Sequence, residues 1–444
     1  MSVVAAVDCG ATSIRVCRVD LDAATLTPEV VHRVTHTPWR DAAGHLHWDW
    51  TTITTAVTDG LERCHALGPL DSIGIDTWAV DYGLLDDTGS LIGDPYSYRD
   101  HRTDSYVTLV ERFGAREMYA VNGLQLQPFN TIFQLAVHDR TELDRATRLL
   151  WLPELLVHHL TGTVVTERTS AGSSGLADIN SGTWSPEMLT IAGIDESLLG
   201  KIEAPGRLVG EWRGIPVALV GGHDTASAVI GMGPRSPGGS AFVASGTWML
   251  AGIERPTADT SEWARTRNYT NEAGALGGVR FLRNVTGFWL LEQCRTSWGE
   301  PPIEDLLDRA AAEDPAPIVN VDDPSLRAPD DMLATYTSLA GVPVDTDPAV
   351  VARSIIESIA ARVADVIDQL GEANTFDDIV LFGGAARIDL LVQQLAERTR
   401  RDVRVGPPEA ATIGNAIVQG IAIGDYATVE DGRAKITTDH RTGS

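Results

Sequence analysis

The sequence predicts an α/β protein built from two similar domains, and three observations predict it. The chain has 444 residues, more than one hydrophobic core usually serves, so length points to two or three domains. An opening stretch, "VVAAVDCGATSIRVCRVD", and a mid-chain stretch, "SAFVASGTWMLAGIE", share one grammar: apolar strand, small polar turn, second β-prone strand. The C-terminal half then alternates helical periodicity with a short apolar strand.

In chain order, Val3–Val7 is a continuous apolar run of the kind a buried strand shows, Asp8 to Ser13 is the turn, and Ile14–Val19 is the returning strand. The second hairpin places strands at Ala241–Ala244 and Met249–Ile253 around the turn Ser245-Gly246-Thr247-Trp248. Just before it, "GMGPRSPGGS" (Gly231 to Ser240) is the best linker in the chain, which predicts domains at 1–234 and 235–430 with a tail at 431–444. "DPAVVARSIIESIAARVADVIDQLG" is a long helix capped by Asp347, with Pro348 in its first turn and Gly371 as its end. Ile355, Ile359, Val363, Val366 and Leu370 form its apolar stripe. "DDIVLFGGAARIDLLVQQLAERT" reads as strand, Gly383-Gly384 turn and helix, and "GPPEAATIGNAIVQGIAIGDY" as a further helix whose Gly414-Asn415 allows close packing or ligand contact.

Composition excludes several classes. Hydrophobic residues at 43% and charged residues at 22% are ordinary for a globular chain. No apolar run is long enough to span a membrane, and the N-terminus lacks a basic secretion leader, so a cytoplasmic protein is expected. The net charge of −26 argues against nucleic acid as a partner. Cys9, Cys17, Cys64 and Cys294 are widely spaced, which suits reduced buried thiols rather than a disulfide framework or zinc site. "GHLHWDW", with His45 and His47, reads as a surface turn and helix start. The only lysines are Lys201 and Lys435, neither in a Gly-rich loop, and no GxxxxGK[ST] motif occurs. Nucleotide phosphates would therefore need backbone N–H groups, a divalent metal and arginine. A single Gly/Ser/Thr-rich hairpin turn is usually only a tight connection; two of them, one per half, can grip one triphosphate.

"GGHDTASAV" raises the question of a base. Asp224 follows His223 where a buried strand becomes a helix, a position that suits both a helix cap and a proton acceptor. The helix dipole is expected to hold its pKa at or below the usual value of about 3.9. His223, a lone histidine beside an apolar strand, reads more readily as hydrogen-bonded structure than as a catalyst. Arg15, just beyond the first turn, suits either a phosphate or a salt bridge on a strand face.

These segments resemble the FGGY family of carbohydrate kinases, within the actin-like ATPase superfamily. "VDCGATSIR" is similar to the family's first phosphate loop, "VASGTWML" to its second and "LFGGAARIDLLVQQLA" to its adenosine loop, in order from about Val3 to about Asp425. The resemblance implies two ribonuclease H-like α/β domains with an interdomain active-site cleft, ATP and Mg²⁺ as cofactors, and transfer of a phosphoryl group to a sugar. Within the family, "IDTWAVDYGLLDDTGSLIGDPYSYRDHRT", "QPFNTIFQL", "GGHDTASAV", "SGTWML" and "NVTGFWLLEQ" resemble the rhamnulokinases, which act on the primary hydroxyl of L-rhamnulose. L-fuculokinase or xylulokinase activity is the alternative, and a silent actin-like ATPase or sugar sensor a further one. Carried over by position, Asp224 is the catalytic base, and Ala79, His223, Asp224, Thr225 and Asn284 contact sugar. Ala11, Thr12, Ser13, Ile14, Arg15, Gly246, Thr247, Glu292, Gly384 and Ala385 contact ATP, and Asp8 is associated with the metal. Three positions depart from the pattern: Ala79 and Ala385 stand where Gly is usual, and Glu292 where Gln is.

Overall fold

The computed structural model describes residues 2–246, 248–327 and 329–441. By packing, the chain forms two units: Met1–Gly231 with Glu254–Phe281 and Glu409–Ile436, and Met232–Ile253 with Leu282–Pro408 and Thr437–Ser444. Sequence order alone divides the chain at 234/235; packing assigns two later segments to the first unit.

The first unit is built on β1 (Val3–Cys9), β2 (Ser13–Asp20), β3 (Glu29–Thr35), α1 (Trp50–Ala66), β4 (Ser72–Thr77), β5 (Arg207–Trp212), β6 (Ile215–Leu219) and α2 (Asp224–Ile230). Its sheet runs β5-β6-β4-β1-β2-β3. β1 pairs antiparallel with β2 and parallel with β4, and β6 pairs parallel with β4. The predicted hairpin is present, but Asp8 and Cys9 remain in β1, so the turn shrinks to Gly10-Ala11-Thr12. α1 starts at the Asp49 cap, whose side chain accepts from Thr52 N–H at 2.9 Å, and buries Ile53, Val57 and Leu61 against one sheet face. The stretch expected as a surface turn forms a two-residue strand, Leu46–His47, because Trp48 beside it is fully buried.

The second unit repeats the arrangement with β7 (Ser240–Ser245), β8 (Trp248–Arg255), α3 (Pro348–Ala373), β9 (Asp378–Gly383), α4 (Asp389–Thr399) and β10 (Val403–Val405). β7 pairs antiparallel with β8 and parallel with β9, which pairs parallel with β10. Arg404 Nε donates to Asp378 Oδ2 at 2.6 Å and Arg404 Nη2 to Ser240 Oγ at 3.0 Å, tying three strands together in the interior. α3 begins at Asp347 as predicted but runs through Gly371. It ends at Asn374, whose backbone N–H and Nδ2 both donate to Leu370 O, satisfying the carbonyl that a glycine cap would have served.

A further helix, α5 (Ala410–Ile423), packs in the first unit. It buries Ile413, Ala416 and Ile417 with Val4, Ala218 and Val220 on the sheet face opposite α1, each buried Ile contributing roughly 2 kcal/mol. α5 crosses α2 so closely that a Cβ on Gly414 would lie 1.7 Å from Ser227 O, which resolves Gly414 as a packing glycine. All four cysteines are free and buried. No helix among the described residues is long and apolar enough to cross a membrane.

Candidate active site

Three acidic side chains meet at the C-terminal edge of the parallel strands in the first unit, the edge where open α/β sheets bind ligands. Register places Asp8 of β1 opposite both Arg15 of β2 and Asp76 of β4. A parallel bridge from Thr77 to His223 carries the chain after β6 to the same edge, so Asp224 opens α2 beside them.

Asp8 is 2% exposed and accepts from Arg15 Nη2 at 2.6 Å and Thr412 Oγ1 at 3.3 Å. Arg15 also pairs with Glu409. The strand-face salt bridge is thus the observed state of Arg15. Burial raises the Asp8 carboxyl above its ordinary range, with Arg15 opposing. Asp76 is fully buried; Asn415 Nδ2 donates to its Oδ2 at 2.6 Å, while Oδ1 has no hydrogen-bond partner. Burial, then repulsion from Asp8, holds its carboxyl well above the usual range.

Asp224 departs from the expectation. Its pKa is not at or below 3.9 but pushed up to about 7, first by burial and then by the negative charge of Asp8. The helix dipole loses because α2 has only seven residues and its N-cap is His223, not Asp224. Asp224 therefore does not cap; it receives Thr225 Oγ1 at 3.1 Å and keeps 31% side-chain exposure. His223 Nε2 lies 3.5 Å from Asp224 Oδ1, and Arg280 Nη2 lies 3.1 Å from His223 Nδ1. Burial and the Arg280 charge push the imidazole well below its ordinary value, so it is neutral at pH 7.

Ala79, half-buried, sits in the loop that leaves β4. Its neighbour Val80 has φ +74°, a left-handed conformation costly for a β-branched residue, of order 1–3 kcal/mol. Buried polar groups hold it there. Thr131 Oγ1 donates to Val80 O at 2.7 Å, and Asp81 accepts from Trp48 Nε1 at 2.7 Å, Trp78 Nε1 at 2.9 Å and Gln134 Nε2 at 3.0 Å.

Ala11 and Ser13 are partly buried and Thr12 exposed in the first turn, whereas the Ile14 side chain is fully buried and turned into the core. Gly246, Asn284, Glu292, Gly384 and Ala385 belong to the second unit, and Thr247 lies outside the described residues. Glu292 accepts from Arg295 Nη2 at 2.8 Å. Ala385 is buried, while a side chain at Gly384 would meet nothing within 4 Å. The residues missed by sequence reasoning are Asp76, Arg280, Glu272, Glu409 and Thr412, whereas Asn415, read as allowing close packing or ligand contact, bonds Asp76. Asp76 lies inside the quoted "IDTWAVD", so its strand-end position was available; the others reach the site from distant segments with no local signal.

Buried hard-oxygen donors, one with an open lone pair, fit a divalent cation such as Mg²⁺. Among the described residues no cluster of three ligating side chains could hold a metal. Asp8 and Asp76 would therefore supply part of the coordination, with phosphate oxygens and water the rest.

The model of the FGGY family of carbohydrate kinases, N-terminal domain, matches residues 3–232, and that of the C-terminal domain matches residues 241–423. The chain is 38% identical to a rhamnulokinase of Pectobacterium carotovorum subsp. carotovorum over 98% of this chain and 91% of that one. It is 34% identical to a rhamnulokinase of Bacteroides thetaiotaomicron over 97% and 93%. The crystal structure of a ligand-bound xylulose kinase from Lactobacillus acidophilus superposes with a TM-score of 0.83, at 19% identity, over 99% of this chain and 93% of that one. That likeness shows a shared fold, two ribonuclease H-like domains of the actin-like ATPase type.

Proposed function

The chain belongs to the FGGY family of carbohydrate kinases, and from that premise we propose that it transfers the γ-phosphate of ATP to the primary hydroxyl of L-rhamnulose, giving L-rhamnulose 1-phosphate and ADP. The observation that carries the chemistry is Asp224, a part-exposed carboxylate at the sheet edge whose proton affinity is raised to about 7. A base with pKa near the working pH both exists in its ionised form and binds the departing proton usefully. As the sugar oxygen forms its bond to the γ-phosphorus and the bond to the β-phosphate oxygen breaks, the hydroxyl proton passes to Asp224.

His223 beside it, with Thr225 and Ala79, contacts the sugar in this reading, together with Asn284. Ala11 to Arg15, Gly246, Thr247, Glu292, Gly384 and Ala385 contact the nucleotide. Ile14 does so through its backbone, because its side chain is in the core. Asp8 and Asp76 would hold part of a Mg²⁺ shell, and the ion would supply the charge neutralisation at the phosphates that no lysine is placed to give. L-rhamnulose as the sugar rests on rhamnulokinase relatives at 34–38% identity.

The test is a coupled ADP-release assay over L-rhamnulose, L-fuculose, L-ribulose, D-xylulose and glycerol. L-rhamnulose is expected to give the highest kcat/KM. A higher value for D-xylulose or glycerol would overturn the substrate assignment, with the Ala79 methyl as the first residue to revert to Gly.

A further inference from the structure

We infer that Arg280 is a positioning residue: it fixes His223 as an Nε2–H donor aimed at Asp224 and at the oxygen that Asp224 deprotonates. Neither Arg280 nor Glu272 lies in a motif that the sequence singles out. They sit on two adjacent strands, Thr270–Ala273 and Val279–Thr286. The Arg280 side chain is 1% exposed, its Nη2 is 2.9 Å from Glu272 Oε2, and the same nitrogen lies 3.1 Å from His223 Nδ1.

A guanidinium can only donate, so His223 Nδ1 facing it must accept. A neutral imidazole carries one N–H, which therefore sits on Nε2. That nitrogen lies 3.5 Å from Asp224 Oδ1, a distance that shortens readily in a substrate complex. The competing tautomer would place the proton on Nδ1 and donate it to Glu272 Oε2. That oxygen is 3.5 Å away, farther than Arg280, and already paired with the guanidinium. Below the ring, His223 N–H donates to Thr169 Oγ1 at 3.0 Å, and Gly222 N–H donates to Glu167 Oε2 at 3.0 Å, so the backbone is anchored independently of the ring. The charged groups around His223 and Asp224 are thus Arg280, Glu272, Glu167, Asp8 and Asp76.

The consequence, which rests on the sugar-kinase reading, concerns hydroxyl orientation. An Nε2–H donor beside a carboxylate acceptor gives the reacting hydroxyl one arrangement: its oxygen accepts from His223 while its proton points to Asp224. The opposite tautomer would leave two acceptors facing one hydroxyl proton, and the oxygen lone pair would not be directed.

The test is ¹⁵N NMR of the imidazole nitrogens in the ligand-free full-length protein at pH 7.5, with His223→Gln used to assign the resonances. The expected result is a neutral His223 protonated at Nε2. In Arg280→Met the tautomer should become mixed or shift to Nδ1–H, with kcat falling roughly tenfold to a hundredfold through misorientation. Arg280→Lys, which restores a cationic donor, should recover part of both. Glu272→Gln, which keeps Arg280, should retain the Nε2–H form. The inference is overturned if wild-type His223 carries its proton on Nδ1, or if Arg280→Met keeps a pure Nε2–H ring. Should Arg280→Met fail to fold, the wild-type and Glu272→Gln spectra decide. No sugar is present in the NMR measurement, so a wrong substrate assignment leaves the tautomer result untouched and affects only the kcat comparison.

Discussion

The two hairpins, β1–β2 and β7–β8, share a backbone frame and differ in one row of side chains. In the first, the row before the turn reads Asp8 with Arg15 across the antiparallel pair and Asp76 across the parallel pair. In the second, the same row reads Ala244 with Leu250 and Phe382. One frame therefore carries a charged row whose members perturb one another and Asp224, and the other an apolar row that only packs. The next row differs in another way: Cys9 with Ile14 and Thr77 in the first hairpin, Ser245 with Met249 and Gly383 in the second. Gly383, at φ +90°, comes so close to β7 that a Cβ would lie 2.4 Å from Ser245 O, leaving space for backbone alone. Two hairpins that pair alike thus differ by a few residues at the strand ends, and of the two it is the first that carries the acidic row beside Asp224.

The largest effect expected from this contrast is at Asp224. Asp224→Asn keeps the volume and the contact to Thr225 but removes the base, so turnover should fall by roughly 10²–10⁴ with little change in melting temperature. Steady-state kinetics and calorimetry together check it, and near-normal turnover in a protein that melts much lower would make Asp224 structural. The matched rows can then be broken one at a time. Phe382→Ala removes a buried ring and should cost about 3–5 kcal/mol in denaturant unfolding while leaving the pH dependence of turnover in place. Arg15→Met strips Asp8 and Glu409 of their partner; with Arg15 itself partly exposed, the cost should be near the lower end for such pairs, about 3 kcal/mol. Unlike Phe382→Ala, it should also displace the pH profile, because Asp8 sets part of the Asp224 proton affinity. Gly383→Ala should destabilise by at least about 1–3 kcal/mol from the positive φ, with the Cβ contact 2.4 Å from Ser245 O adding to it, as read by denaturant unfolding. The smallest effect is expected at Thr247: Thr247→Val should weaken ATP binding by about fivefold, the loss of one hydrogen bond, with sugar affinity unchanged. Isothermal calorimetry showing unaltered ATP affinity would remove Thr247 from the nucleotide site.

Both hairpins were legible because strand–turn–strand is written in contiguous residues, and α3 and α4 because helical periodicity and a capping Asp or Gly turn are local signals. The helix end at Gly371 was misread because Asn374, three residues on, donates to the Leu370 carbonyl. In the site, Asp224 and His223 were found through a short resemblance, but not their state. The dipole argument treats α2 as a long isolated helix, whereas burial and the neighbouring Asp8 outweigh it. Arg280 and Glu272 carry no pattern in sequence, and Asn415 was legible as a helix position but not as the partner of Asp76; only the fold brings residues 272, 280 and 415 to side chains near residues 76 and 223.

The central claim is that a carboxylate in the charged row's neighbourhood works as a base titrating near neutrality. The most direct measurement is kcat/KM for the preferred sugar between pH 5 and 9 at saturating ATP and Mg²⁺, which reports the essential base of the sugar-free enzyme. Because the Asp224 pKa is raised, the active ionised form accumulates as pH rises through about 7 and is lost below it. The expected profile climbs tenfold per pH unit below that point and levels above it, and the limb disappears in Asp224→Asn. A profile flat from pH 5 upward, or an acidic limb retained in Asp224→Asn, would contradict the account.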